Sequence, residues 1–414
     1  MGMTAGAPSI RTAVPTAKPA KRRFFLRMPR YADVPIFLSV LVLAFYGLLM
    51  IASSSMGLTV GRPMRLALIL VKQIVFLAGG YYVMVRLANR FTLAFLKSST
   101  FPLWAIGIGV SLLVCLAFPA AGGARAWIRL PISGMDISIQ PSEFAKIMVI
   151  LIVAAYCGDV KRIFRTNRDM TRRPLIFVGI YIFIILFLQS DMGSAAVIAL
   201  IFSACILIPQ HPQMMFFQRL LRMLLGGGII FVIFLITPYG ESLIRNLPLR
   251  QYQINRFLSA INPFYDMYNT GFQLVNGLVS FATGGWFGLG YGNSVRKYTN
   301  FPAANTDFIL AIVVEEMGML GFLIIFVPYM IIIVRLFQYA MKIKSEQARI
   351  ILVGTAMYLM IHCFFNIGGV TGMIPLTGVP LLMISSGGSS TLAFMAAVGL
   401  AQAVIDQYRK GLIQ

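Results

Sequence analysis

The hydrophobic residues of this chain fall in long runs, without the alternation of a strand or the single stripe of an amphipathic helix. Ten runs stand out, at roughly 34–53, 66–85, 101–119, 143–157, 174–188, 192–208, 220–238, 308–334, 350–373 and 381–405. A helix needs about 20 apolar residues to cross a hydrocarbon core about 30 Å thick. Inside that core only helices and closed barrels satisfy their own backbone hydrogen bonds. The pattern therefore predicts an all-α polytopic membrane protein with about ten transmembrane helices over residues 34–408. The fourth and fifth runs are short, so they fix their helix ends only to within several residues. No internal repeat is visible, which speaks against an inverted-repeat transporter.

The polar intervals are unequal. The interval at 240–306, between the seventh and eighth helices, is far longer than the others, and unstructured loops beyond about 15 residues are uncommon unless functional or disordered. It holds Tyr252, Phe257, Phe264, Tyr265, Tyr268, Phe272 and Trp286, and a helical pattern from Tyr268 to Thr283. The glycine string GGWFGLGYGN (284–293) follows no strand and opens no βαβ unit, so it reads as a tight turn at the membrane surface and not as a nucleotide loop.

Charge orients the chain. Most of the 35 Lys and Arg residues fall in the N-terminal tail and the even-numbered loops, including Lys161, Arg162, Arg165, Arg168, Arg172 and Arg173. The positive-inside rule then places both termini, 1–33 and 409–414, in the cytoplasm and the 240–306 loop outside. The net charge of +22 is spread along membrane edges facing anionic lipid, which excludes a nucleic-acid site as its cause. Residues 1–33 read as a basic disordered tail. The four cysteines stand singly, giving no disulfide framework and no metal cluster.

Only 13 carboxylates occur, and an ionisable group inside a span is a functional candidate by default. Glu143, Asp191, Asp307, Glu315 and Glu316 lie in or at the edges of apolar runs. Glu143 and Lys146 share one helix face, where a neutralising ion pair competes with a substrate contact. Asp191 opens the sixth helix, where capping alone would account for it. Asp307 ends the long loop, near Arg296 and Lys297 in sequence, and suits a reaction on a lipid-borne anion; helix capping is the plainer alternative. His211 and His362 are isolated in sequence and read as structural.

The segments GARAWI (123–128), QPSEFAK (140–146), QSDMG (189–193), GFQLVNGL (271–278), GNSVRK (292–297), NTDFILAIVVEEMG (305–318) and NIGGVTGMIPLTGVPLLMISSGGSS (366–390) resemble the FtsW/RodA (SEDS) family. They run in family order over nearly the whole chain after the tail. The resemblance implies a peptidoglycan glycosyltransferase that polymerises lipid II with inversion at the donor sugar, in complex with a class B penicillin-binding protein. It places the family's essential carboxylate on Asp307 and its Glu/Lys pair on Glu143 and Lys146. The outer-loop basic position falls on Arg125, the acidic position on Asp191, and Gln273 lies in a family segment. The chain departs from the family pattern at Ala126, Ser190, Asn305 and Ser386. GNS at 292–294 and the basic tail lean towards the division branch, with elongation or sporulation as alternatives.

The chemistry follows from those implied substrates. A sugar 4-hydroxyl needs a base as it attacks, and Asp307 is the candidate. The pyrophosphate leaving group needs cations, for which Arg125, Lys146, Arg296 and Lys297 are available. A divalent cation (Mg or Mn) would serve as well, although no ligand cluster is visible. A flippase for the same lipid and a non-catalytic scaffold of the cell-wall machinery are the rival readings.

Overall fold

The computed structural model describes residues 27–120, 123–132, 135–158, 167–235, 237–246, 251–299 and 301–414. Most of the predicted tail (1–26), and Lys161, Arg162 and Arg165, lie outside the described residues. Thirteen α-helices are described: α1 (Val34–Met56), α2 (Pro63–Arg90), α3 (Phe101–Val114), α4 (Pro141–Cys157), α5 (Asn167–Phe183), α6 (Met192–Ile206), α7 (Met215–Leu235), α8 (Pro238–Asn246), α9 (Gln251–Ile261), α10 (Phe272–Gly284), α11 (Ile309–Lys342), α12 (Glu346–Val370) and α13 (Gly388–Arg409). Among the described residues, seven helices are long and apolar enough to cross a membrane. Two shorter apolar helices and α4 occupy the remaining predicted runs.

Local chemistry sets several boundaries. Proline stands in the first turn of α1, α2, α3 and α4, where its missing N–H has no helical partner to lose. Asp33 caps α1 by accepting from the Ile36 N–H at 3.2 Å. The fifth run ends in a π-turn at 184–188, after which Ser190 takes a positive φ of 63°. One element was not expected: a hairpin of β1 (Ile128–Ile132) and β2 (Met135–Ile139), paired from Ile128↔Ile139 to Ile132↔Met135. Its short alternating segments carry no signal on a hydropathy scale tuned to membrane spans.

α4, α12 and α13 form the centre of the bundle. The apolar stretch of α13 is 89% buried, whereas that of α7 is 0% buried. With no water to drive them together, membrane helices bury only faces that pack against protein, so α7 touches the bundle only near its ends, through Phe217, Gln218, Leu221 and Leu235, and leaves most of its length to lipid. The two ends of the described chain meet at one end of the bundle. There buried Asp33 takes hydrogen bonds from Arg335 (2.5 Å), Arg409 (2.9 Å) and Tyr339 (2.8 Å). Burial works against ionisation of Asp33, but the hydrogen bonds from Arg335, Tyr339 and the Ile36 N–H hold its carboxyl below the ordinary value.

The eighth run is not one continuous helix. At Gly318 the backbone turns to φ 66°, ψ −163°, dividing α11 into 309–317 and 319–342. The glycine string fills the break. Leu289 and Gly290 donate to the carbonyls of Glu315 and Glu316 at 2.9 Å each. Met319 and Leu320 donate to the carbonyls of Gly285 (2.9 Å) and Trp286 (3.2 Å). Interrupted backbone at membrane depth is tolerated only where protein satisfies it, and this turn does so. Glycines 285, 288, 290 and 292 all have positive φ, and at Gly288 a Cβ would run into the Glu316 carbonyl, so only glycine lets the turn approach α11 there.

A candidate catalytic cleft at the head of α11

Asp307 lies in the turn before α11, and residues 309–316 behind it are all buried. The helix N-cap position is Phe308, without a side-chain cap, so the capping alternative for Asp307 does not hold. Among the described residues its half-buried carboxylate accepts no hydrogen bond. Burial pushes its pKa up to about 7, against the pull of Arg256 and with a further push from Asp191. A carboxylate at that value is poised to exchange a proton near neutral pH.

The facing wall is the segment between α12 and α13, which is apolar but not helical. Its carbonyls are taken one after another by side chains from surrounding helices. Arg256 of α9 donates to Leu376 O at 3.1 Å, Asn366 of α12 to Val379 O at 3.0 Å, and Tyr329 of α11 to Leu382 O at 2.6 Å. His362 of α12 reaches Pro380 O at 3.2 Å through Nδ1. A carbonyl only accepts, so Nδ1 carries the proton, and Nε2 is left to accept from the Lys146 ammonium at 3.1 Å. This segment explains why the run at 381–405 becomes helical only at Gly388: hydropathy registers its apolarity and not its backbone. Asp307, Asn366, Thr377 and Gly378 together line the cleft.

Glu143 and Lys146 form an ion pair at 2.7 Å, both almost fully buried. The pair joins the cleft wall through His362 and Pro380, so His362, isolated in sequence, is a link in three dimensions. His211 likewise meets Glu346, at 3.3 Å. Asp191 caps α6 through the Ser194 N–H (3.0 Å) and accepts from Gln140 Nε2 (3.1 Å). Its helix packs through Gly193 against Thr377, which brings its charge within range of Asp307. Arg125 is exposed, and its backbone N–H donates to Gln189 O at 2.9 Å beside Asp191. Gln273 donates to Pro302 O at 3.2 Å, supporting the turn that carries Asp307.

The expected cations are placed differently. Lys297, read from sequence as standing beside Asp307, is buried against Glu316 at 2.8 Å, with Gly292 O at 2.7 Å and Ser53 Oγ at 3.1 Å. Its charge neutralises a buried carboxylate and is withheld from any ligand. Glu315 accepts from Ser294 Oγ (2.6 Å) and Ser280 Oγ (3.2 Å), so both glutamates clamp the 292–297 loop to α11. Lys146 is committed to Glu143 and His362. Arg296 bonds Asn276 Oδ1 at 3.1 Å. Among the described residues the cation whose charge pulls on the candidate base is Arg256, which the sequence reading missed, because nothing in INRFLSA marks one arginine of a long loop as facing a residue some 50 positions away. Among the described residues no group of three or more His, Cys, Asp or Glu could hold a metal ion.

Fold and site define a multi-pass membrane protein with one titratable carboxylate at an interrupted helix, facing a cleft walled by polar-pinned backbone. Residues 34–410 match the family described as "Cell cycle protein", that of FtsW, RodA and SpoVE. Over 377 residues the chain is 31% identical to the probable peptidoglycan glycosyltransferase FtsW of Bacillus subtilis, covering 90% of each. It is 32% identical over 404 residues to the protein of that name from Dichelobacter nodosus, covering 92% of this chain and 91% of that one. Solved structures share the fold. A chain of a peptidoglycan synthase complex that coordinates polymerization and crosslinking superposes with TM-score 0.65 at 24% identity, covering 91% of this chain and 98% of that one. RodA of Thermus thermophilus gives 0.58 at 22%, covering 91% and 97%. The chain belongs to the FtsW/RodA/SpoVE family.

Proposed function

We infer that the family's chemistry comes with its fold: the chain is a peptidoglycan glycosyltransferase, and it polymerises lipid II at the outer membrane face with Asp307 as general base. The observation that carries this reading is the state of Asp307. It is an uncapped, unbonded carboxylate with a pKa of about 7 at the mouth of a cleft. A purely structural carboxylate would be paired or hydrogen-bonded, as Glu143, Glu316 and Asp33 are.

In this reading Asp307 accepts the proton of the acceptor's 4-hydroxyl as it attacks the donor sugar, whose bond to pyrophosphate breaks. One displacement inverts the α-linked donor to a β-1,4 bond without a glycosyl-enzyme intermediate. Arg256 on the cleft wall and exposed Arg125 would stabilise the departing pyrophosphate, in place of buried Lys146 and Lys297. The Glu143–Lys146–His362 chain acts on the reaction through the Thr377–Pro380 wall and not by touching substrate. The long loop lies outside, both termini lie in the cytoplasm, a class B penicillin-binding protein is the working partner, and division is the favoured process. Purified protein with that partner, given lipid II, is expected to make glycan polymer. Lipid translocation without polymer would overturn the reading.

A further inference from the structure

The amide of Asn366 is oriented by what surrounds its nitrogen. Nδ2 donates to the backbone carbonyls of Asp307 (2.8 Å) and Val379 (3.0 Å), and flipping the amide would set its oxygen against both. Oδ1 is therefore fixed in place. It is buried, and among the described residues it has no hydrogen-bond partner. The residue is 3% exposed and lines the same cleft as Asp307. An unpaired buried acceptor costs about 1–3 kcal/mol, so its persistence beside the candidate base calls for a donor that arrives from elsewhere.

We propose that Asn366 Oδ1 accepts a hydrogen bond from the 3-hydroxyl of the acceptor sugar, the ring neighbour of the 4-hydroxyl that Asp307 deprotonates. The inference rests on the polymerase reading above. Its logic is a count of protons. The reacting hydroxyl has one, and it goes to Asp307; a second fixed acceptor in the same cleft requires a second donor. A vicinal pair of hydroxyls supplies two donors held about 3 Å apart, whereas a lone hydroxyl or a phosphate does not. Asn366 would then bind substrate with its oxygen while its nitrogen ties the Asp307 backbone to the cleft wall, so that recognition and base placement share one side chain.

The test crosses a substrate change with a residue change. Lipid-linked acceptors lacking the 3-hydroxyl or the 6-hydroxyl, each retaining the 4-hydroxyl, are offered to the partner-bound wild-type protein and to Asn366→Ala, and kcat/KM for polymerisation is measured. Wild type should discriminate against the 3-deoxy acceptor by about 10–100-fold and against the 6-deoxy acceptor by less than about 3-fold. Asn366→Ala should be slower on the natural acceptor, and its discrimination against the 3-deoxy compound should collapse to within about 3-fold. A purely structural Asn366, satisfied by a trapped water, would slow all three acceptors by the same factor and overturn the proposal. Absence of 3-deoxy discrimination in wild type would overturn it without any variant. If Asn366→Ala does not insert, Asn366→His keeps an N–H for the carbonyls but lacks the amide oxygen, and it should show the same collapse. Failure of wild type on unmodified lipid II would refute the polymerase reading itself, and this inference with it.

Discussion

Replacing Asp307 by Asn separates the roles this residue could play. The amide has the same shape and capping capacity, but it cannot accept a proton near neutral pH. Because α11 begins without a side-chain cap from Asp307, no helix stability is at risk. The variant should fold, insert and bind its partner, and lose polymerisation by at least about 10²-fold, the lower range of general base catalysis. The raised pKa adds a second signature. With a value of about 7, only about a tenth of the carboxylate is ionised at pH 6. The wild-type rate should therefore rise about tenfold per pH unit on the acid side and level off above about pH 8. Stability should move the other way. A carboxyl whose folded pKa lies above its unfolded value holds its proton more tightly when folded, so its contribution falls as pH rises from about 4 to about 7 and is constant above. Asp307→Asn should remove that slope. Polymer formed from lipid II across pH 5–9, alongside thermal unfolding in detergent, measures both. Substantial polymer from the Asn variant, or a rate profile unmoved by it, would exclude Asp307 as the base.

Three further expectations follow from the packing. Lys146→Met should leave Glu143 buried without its partner and cost about 3–5 kcal/mol of stability, while Glu143→Leu combined with Lys146→Met should recover most of it, read as thermal shift and folded yield. Equal activity losses with normal yield in both single variants would show instead that the pair touches substrate. Gly378→Ala should keep the fold but impair polymerisation, because φ there is +72° and the new methyl would sit 3.6 Å from both Asp307 Oδ2 and Arg256 Nη1; activity near wild type would mean that the wall yields freely. Reporters fused near Arg168 and near Phe264 should report opposite sides of the membrane; the same side for both would put Asp307 in the wrong compartment.

The sequence by itself determined where the apolar helices lie and which residues were worth watching. Burial in lipid is a property of each segment taken alone, so a run of apolar residues declares itself without its neighbours. The Glu143–Lys146 pair was legible for a similar reason, since positions three apart on one helix meet whatever surrounds them. What hydropathy could not see was where apolar backbone stops being helical. The break at Gly318 and the non-helical 377–382 wall are stabilised by partners far away in sequence, among them Gly285, Trp286, Tyr329, His362 and Asn366. The same distance hid the electrostatics. Lys297 and Arg296 are ten or so residues from Asp307, yet the one is buried against Glu316 and the other turned to Asn276, while Arg256, on a separate helix, faces the cleft. Which charge neutralises a buried partner and which faces the cleft is decided by desolvation in three dimensions, and only the assembled bundle decides it.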